Sequence, residues 1–127
     1  MTDRPAVPDD IRRFVLTSVP SVPYAEAVLL LRRSADAALG VAEVARALYV
    51  AERTAEGLLR CGCETGVLKQ EGDGYRYLPR DEQLGLAWDR FAACYASDLI
   101  AVTHLIHSAT HKSALLFADA FKLRREP

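Results

Sequence analysis

Gly40 to Leu78 reads GVAEVARALYVAERTAEGLLRCGCETGVLKQEGDGYRYL, and the fold of the chain turns on this stretch. Val41 to Leu48 has the spacing of a short helix with Val44 and Leu48 on its inner side. Tyr49-Val50 reads as a turn, and Ala51 to about Cys61 as a second helix. Ala55 and Leu59, four apart, face the core from that helix, while Arg53, Gly57 and Arg60 fall on the opposite side beside Glu56. Val67 to Gln70 and Tyr75 to Leu78 are β-rich runs on either side of Glu71-Gly72-Asp73-Gly74, which predicts a hairpin with that tetrapeptide at its tip.

Toward the N-terminus, Asp9 or Asp10 can cap a short helix that carries Ile11, Phe14 and Val15 on one side and ends at Pro20. Ser21-Val22-Pro23 leads into a second helix over about Tyr24–Ala38. Its Ala27, Val28, Leu30, Leu31, Ala35 and Ala38 recur at helical spacing, and Arg32 and Arg33 lie outside. Gly40 suits a left-handed stop after it. Toward the C-terminus, Asp81 can cap one long helix from about Glu82 to His107, a span of roughly 39 Å. Leu84, Trp88, Phe91, Tyr95, Leu99, Val102 and Ile106 follow one another at an average of about 3.67 residues, which makes a nearly straight apolar stripe. A last helix, about Lys112 to Arg124, carries Leu115, Leu116, Phe117 and Phe121.

The chain has 127 residues, one domain or a small domain with an appendage, and its 50% apolar content is enough for a core. No apolar run approaches the roughly 18 residues of a membrane span, and no signal pattern opens the chain; a cytoplasmic protein with no membrane partner is expected. The net charge is −1. Val41–Leu78 holds five basic residues (Arg46, Arg53, Arg60, Lys69, Arg76) against six acidic ones (Glu43, Glu52, Glu56, Glu64, Glu71, Asp73). Proteins that bind nucleic acid usually carry a clear basic excess, so helix order and charge balance point in different directions.

The order helix, turn, helix and hairpin resembles the winged helix-turn-helix regulators, the broad group that includes the MarR, ArsR and PadR families. Leu48-Tyr49-Val50-Ala51-Glu52-Arg53-Thr54 is similar to the turn into the recognition helix of many bacterial regulators, where a serine commonly precedes Glu-Arg-Thr. Here Ala51 stands at that place and cannot accept a capping N–H bond. Leu59 with Gly66-Val67-Leu68 resembles the usual exit into the wing, interrupted by Cys61-Gly62-Cys63, and SALLFADAFKLRRE resembles the tails of small bacterial winged-helix proteins. The resemblance implies a mostly α fold with a two-stranded β wing and C-terminal dimerisation helices. Its parts would be an N-terminal arm and short helix over 1–22, a winged helix-turn-helix domain over 23–80 and a helical dimerisation region over 81–127.

The resemblance further implies a bacterial transcriptional regulator, a homodimer on an inverted repeat of double-stranded DNA. Arg53 and Arg60 would face the major groove, Gly57 would allow close approach, and Thr54 would reach a phosphate or a thymine methyl. Lys69 and Arg76 would meet the DNA from the wing. The stripe Leu84, Trp88, Phe91, Tyr95, Leu99, Val102 and Ile106 would pair two protomers, because so small a chain is not expected to bury it alone. The alternative is a winged-helix adaptor that has lost DNA binding and docks on a protein. The acidic wing tip, the near-neutral surface and the missing cap at Ala51 favour it.

Three other groupings carry chemistry in principle. Cys61, Cys63 and Cys94 suggest a metal or redox sensor, against idle reduced thiols. His104, His107 and His111 would share one face of an unbroken helix and could hold a zinc-class ion, against surface histidines and a break at Ser108-Ala109-Thr110. Trp88, Phe91 and Tyr95 could line a pocket for an effector, against a packing seam. The expectation in each case is the second: no metal, no cofactor, and an effector that the residues do not identify. No nucleophile with its base, no carboxylate pair and no phosphate-binding glycine loop is present, so no enzymatic activity is expected.

Overall fold

The computed structural model describes residues 7–109. The expected helix over Lys112–Arg124, residue His111 and the first six residues of the N-terminal arm lie outside that range. Along the chain the elements are α1 (Asp9–Ser18), α2 (Val22–Arg33), β1 (Leu39–Gly40), α3 (Val41–Leu48), α4 (Glu52–Glu64), β2 (Leu68–Glu71), β3 (Gly74–Tyr77) and α5 (Glu82–Ser97), followed by α6 (Leu99–Ala109). The fold is mostly helical, with one small antiparallel sheet in the order β1-β3-β2.

The hairpin registers Leu68 with Tyr77 and Glu71 with Gly74. Glu71 and Gly74 therefore belong to the strands, and the tip is only Gly72-Asp73. Gly72 sits at φ 62°, where a side chain would be strained. Strand β1, which alternation alone does not reveal in two residues, pairs Leu39 with Tyr75 and Gly40 with Gly74. That pairing corrects two expectations. Gly40 is not a left-handed stop: at φ −85° and ψ 165° it is extended and precedes α3. Helix α2 also ends at Arg33 rather than Ala38, since the chain must turn back to reach the sheet. Ala37 N–H bonds the Ser34 carbonyl at 2.9 Å, and Arg76 from β3 donates to the Ala35 carbonyl at 3.2 Å.

Side-chain caps explain the starts of α2 and α5. The Ser21 hydroxyl accepts from Tyr24 N–H at 3.2 Å, and Asp81 Oδ1 accepts from Leu84 N–H at 2.8 Å. Helix α1 differs from expectation. Pro8 occupies its cap position with no side-chain bond, and Asp9 and Asp10 fall inside the first turn, where their charge favours the helix dipole instead.

The expected long C-terminal helix is two helices. Asp98 leaves helical geometry at φ −145° and ψ 60°. Its N–H closes α5 on the Cys94 carbonyl at 2.8 Å, and its carbonyl opens α6 by accepting from Val102 N–H at 3.1 Å. Serine and aspartate compete with the backbone for hydrogen bonds, and Ser97-Asp98 is a local weak point. Ser97 Oγ indeed donates to the Cys94 carbonyl at 3.3 Å.

The break rotates the apolar stripe inward. Trp88, Phe91, Tyr95, Val102 and Ile106 are all buried within the single chain, Leu84 is half-buried, and Leu99 is the stripe member left exposed. The five buried members therefore belong to the core of the single chain and not to a surface seam between protomers, which corrects the expectation from their spacing. Helix α1 supplies the cover. The Phe14 ring meets Trp88 edge-on at 5.2 Å and Phe91 at 6.0 Å, Tyr24 of α2 lies 6.1 Å from Trp88, and Phe91 stacks on Tyr95 at 5.5 Å. Rings at these separations gain about 0.5–1.5 kcal/mol per pair beyond their burial. The same packing fills the space between Trp88, Phe91 and Tyr95, where an effector pocket would have lain.

Candidate nucleic-acid interface

Helix α3 opens with Glu43 Oε1 accepting from Gly40 N–H at 2.8 Å. It buries Val44 and Ala45 and closes on Tyr49 in the left-handed conformation, φ 59° and ψ 46°. Val50 N–H returns to the Ala45 carbonyl at 3.0 Å, the six-to-one bond of a Schellman stop. The turn is therefore Tyr49–Ala51. Helix α4 then starts without a side-chain cap, because Ala51 has no acceptor.

Helix α4 is held by a narrow inner face of Ala55, Leu59 and Gly62. Gly62 is required by proximity: a Cβ there would collide with the Leu68 side chain of β2. Its C-terminal end is tied to α2 through a short relay in which Thr65 Oγ1 donates to the Gly62 carbonyl at 3.1 Å and Tyr24 Oη donates to Thr65 Oγ1 at 3.0 Å. Burial raises the Tyr24 phenol above its ordinary range, while the Thr65 bond works in the other direction.

The outer face of α4 comprises Glu52, Arg53, Thr54, Glu56, Gly57 and Arg60, all exposed. A Cβ at Gly57 would meet nothing within 4 Å, so that position is open. The six residues expected at a DNA surface are thus mostly exposed, yet their charges are not equivalent. Arg60 is paired with Glu56 at 3.0 Å, one turn earlier on the same helix. Arg76 is half-buried, paired with Glu71 at 3.0 Å and bonded to the Ala35 carbonyl. It acts as a strut between the hairpin and the end of α2. Arg53 and Lys69 make no ion pair among the described residues and remain as exposed cations on α4 and β2.

Sequence reasoning passed over Tyr49 as a turn residue. It is the most exposed large apolar side chain among the described residues, at 94%. The signal was available in part, since a bulky residue stands where a helix stop favours glycine.

The remaining groupings stay apart from this face. Cys61, Cys63 and Cys94 are free and half-buried. All three thiols are pushed up, first by burial and then by neighbouring carboxylates: Glu64 for Cys61 and Cys63, Asp98 and Asp10 for Cys94. A reactive or metal-binding thiolate needs the opposite environment. His104 and His107 are exposed on α6. Among the described residues no group of three or more His, Cys, Asp or Glu side chains is placed to hold a metal ion, and no single helix is long and apolar enough to cross a membrane.

What defines the class of this chain is thus a mostly helical fold with a small three-stranded antiparallel sheet. No protein-family model, curated protein or solved structure matches it.

Proposed function

We propose that this chain is a winged helix-turn-helix protein that binds double-stranded DNA through α4, with the β2–β3 hairpin as its wing, and acts as a transcriptional regulator. One observation supports the reading: α4 follows α3 through a three-residue turn and offers Glu52, Arg53, Thr54, Glu56, Gly57 and Arg60 to solvent, with Ala55, Leu59 and Gly62 buried behind them and Leu58, Cys61 and Cys63 packed at the flanks. A surface helix that serves only stability has no need of so open a face with an unobstructed glycine at its middle. Arg53 is the principal anchoring cation, Thr54 and Gly57 line the approach, and Lys69 adds a phosphate contact from the hairpin. Arg60 is available only after exchanging Glu56 for a phosphate, and Arg76 contributes by holding the hairpin.

An inverted-repeat site requires two copies. With most of the α5–α6 stripe buried, the adjacent exposed pair Leu99 and Ile100 at the α5–α6 break is the apolar surface we propose for pairing.

The expected outcome of Arg53→Ala is weaker duplex binding in fluorescence anisotropy, a salt slope reduced by about one, and an unchanged melting temperature. Full affinity with an unchanged slope would reject α4 as the DNA-facing helix.

The internal pairing of Arg60 and Arg76 favours a second reading, in which the same face docks on a protein. That reading predicts no duplex binding even at about 50 mM salt, where phosphate contacts are strongest.

A further inference from the structure

The left-handed conformation of Tyr49 closes α3 through the Val50 N–H bond to the Ala45 carbonyl, yet the tyrosine side chain adds nothing visible to that stop. It is the one non-glycine residue at positive φ among the described residues, at 59°. An L side chain in this region is disfavoured, and helix stops of this kind usually use glycine or asparagine. A bulky residue in such a place is normally held there by packing. Here the side chain is 94% exposed. Among the described residues it makes no hydrogen bond, ion pair or ring contact, whereas Phe14, Tyr24, Trp88, Phe91 and Tyr95 all join the aromatic layer. A bulky, exposed tyrosine kept where glycine would make the same stop without strain points toward a role outside the fold.

The surroundings indicate what that role is. A shallow groove beside Tyr49 is lined by Ala42, Ala45, Arg46, Val50 and Glu52. The other exposed large apolar residues among those described (Leu16, Leu78, Leu86, Leu99 and Ile100) all lie outside α3 and α4. A protein-binding aromatic typically sits within an apolar patch that excludes water around it. Tyr49 is instead apart from the other exposed apolar residues, and its groove holds Ala42, Ala45 and Val50 with one exposed cation, Arg46, and one exposed carboxylate, Glu52. A single phenol beside a guanidinium, at the turn before a groove-facing helix, suits a phosphate contact, since tyrosine hydroxyls are among the side-chain donors that position proteins on the DNA backbone.

We infer that Tyr49 is a backbone-phosphate contact of the DNA interface, its hydroxyl donating to a phosphate oxygen next to the start of α4. The inference rests on the DNA-binding reading above and adds a residue to it.

The test compares the full chain with Tyr49→Phe and Tyr49→Gly. The probe is a fluorescein-labelled duplex of mixed sequence, because a phosphate contact does not depend on base identity. Both variants are expected to bind about tenfold more weakly, a loss that one hydrogen bond to a charged acceptor accounts for. The salt slope between about 50 and about 200 mM should not change, since the lost group is neutral. In thermal melts Tyr49→Phe should match the parent, and Tyr49→Gly should melt a few degrees higher because glycine adopts the left-handed stop freely. Undiminished binding by both variants, while the parent binds, overturns the Tyr49 assignment alone. A lowered melting temperature for Tyr49→Gly also overturns it, by showing that the ring supports the fold. Absence of duplex binding by the parent removes the DNA reading and this inference together.

Discussion

Helices α4 and α5 are similar in length and use their residues in opposite ways. Helix α5 turns Trp88, Phe91 and Tyr95 into the core and is covered by Phe14 from α1 and Tyr24 from α2. Helix α4 buries only Ala55, Leu59 and Gly62 and leaves Glu52, Arg53, Thr54, Glu56, Gly57 and Arg60 in water. Small inner residues let α4 lie close to α2 and β2 without committing its outer face. Large inner residues make α5 the element on which the fold depends. On the proposed function, stability and recognition fall to different helices, and changes in one should be felt little in the other.

The largest test of that division is Trp88→Ala. Removing a fully buried aromatic side chain should cost about 3–5 kcal/mol, a large part of the 5–15 kcal/mol that ordinarily holds a domain together. Urea denaturation followed by circular dichroism measures it. A loss under about 1 kcal/mol would mean that the aromatic layer is not the core.

A smaller effect, with a change of sign, comes from one substitution made twice in α4. Gly57→Ala meets open space and should stabilise the helix by about 0.5–1 kcal/mol. It should also weaken duplex binding by adding a methyl to the approaching face. Gly62→Ala forces the buried Leu68 side chain aside, and overpacking of about 1–3 kcal/mol outweighs the same propensity gain. Equal shifts in midpoint at the two positions would erase the distinction between inner and outer faces.

A further small effect is a pH dependence. The Tyr95 hydroxyl donates to Glu26. Burial first, and then the Glu26 carboxylate, push its phenol well above the ordinary 10.0. The folded state therefore keeps this proton where the unfolded chain releases it. The contribution is fully present below about pH 10 and is lost as pH rises further. Tyr95→Phe should flatten part of the alkaline fall in melting temperature, and it should cost about 1 kcal/mol at neutral pH for the lost hydrogen bond. An alkaline limb of unchanged slope would remove Tyr95 as a contributor. Duplex affinity at pH 7 should not respond, since the pair lies away from α4.

Much of this architecture was legible from residue order. The inner positions Ala55 and Leu59, the Asp81 cap, the Ser21 start and the hairpin each depend on interactions within a few residues, where spacing and cap chemistry carry the information. The expected strand limits missed by one residue, because register belongs to the pair: Leu39 and Gly40 are a strand only through Tyr75 and Gly74. The candidate face was legible as positions but not as charges. Nothing in the spacing of Arg76 says that it holds the Ala35 carbonyl, forty-one residues away. The Arg60–Glu56 pair, one helical turn apart, was readable in principle.

What the sequence determined by itself is the succession of helices from Asp9 to about Cys61, a turn after Leu48 and a hairpin around Gly72-Asp73, because these are set by local periodicity, caps and glycine. Tertiary structure alone decided where the C-terminal stripe goes. A single helix from Glu82 to His107 would have carried its apolar residues along one straight line for a partner to cover. The break at Asp98 and the rings of Phe14 and Tyr24 bring that line inside the chain. Burial of apolar side chains is non-directional and favours whatever surface removes the most apolar area from water, and here that surface comes from elements distant in sequence.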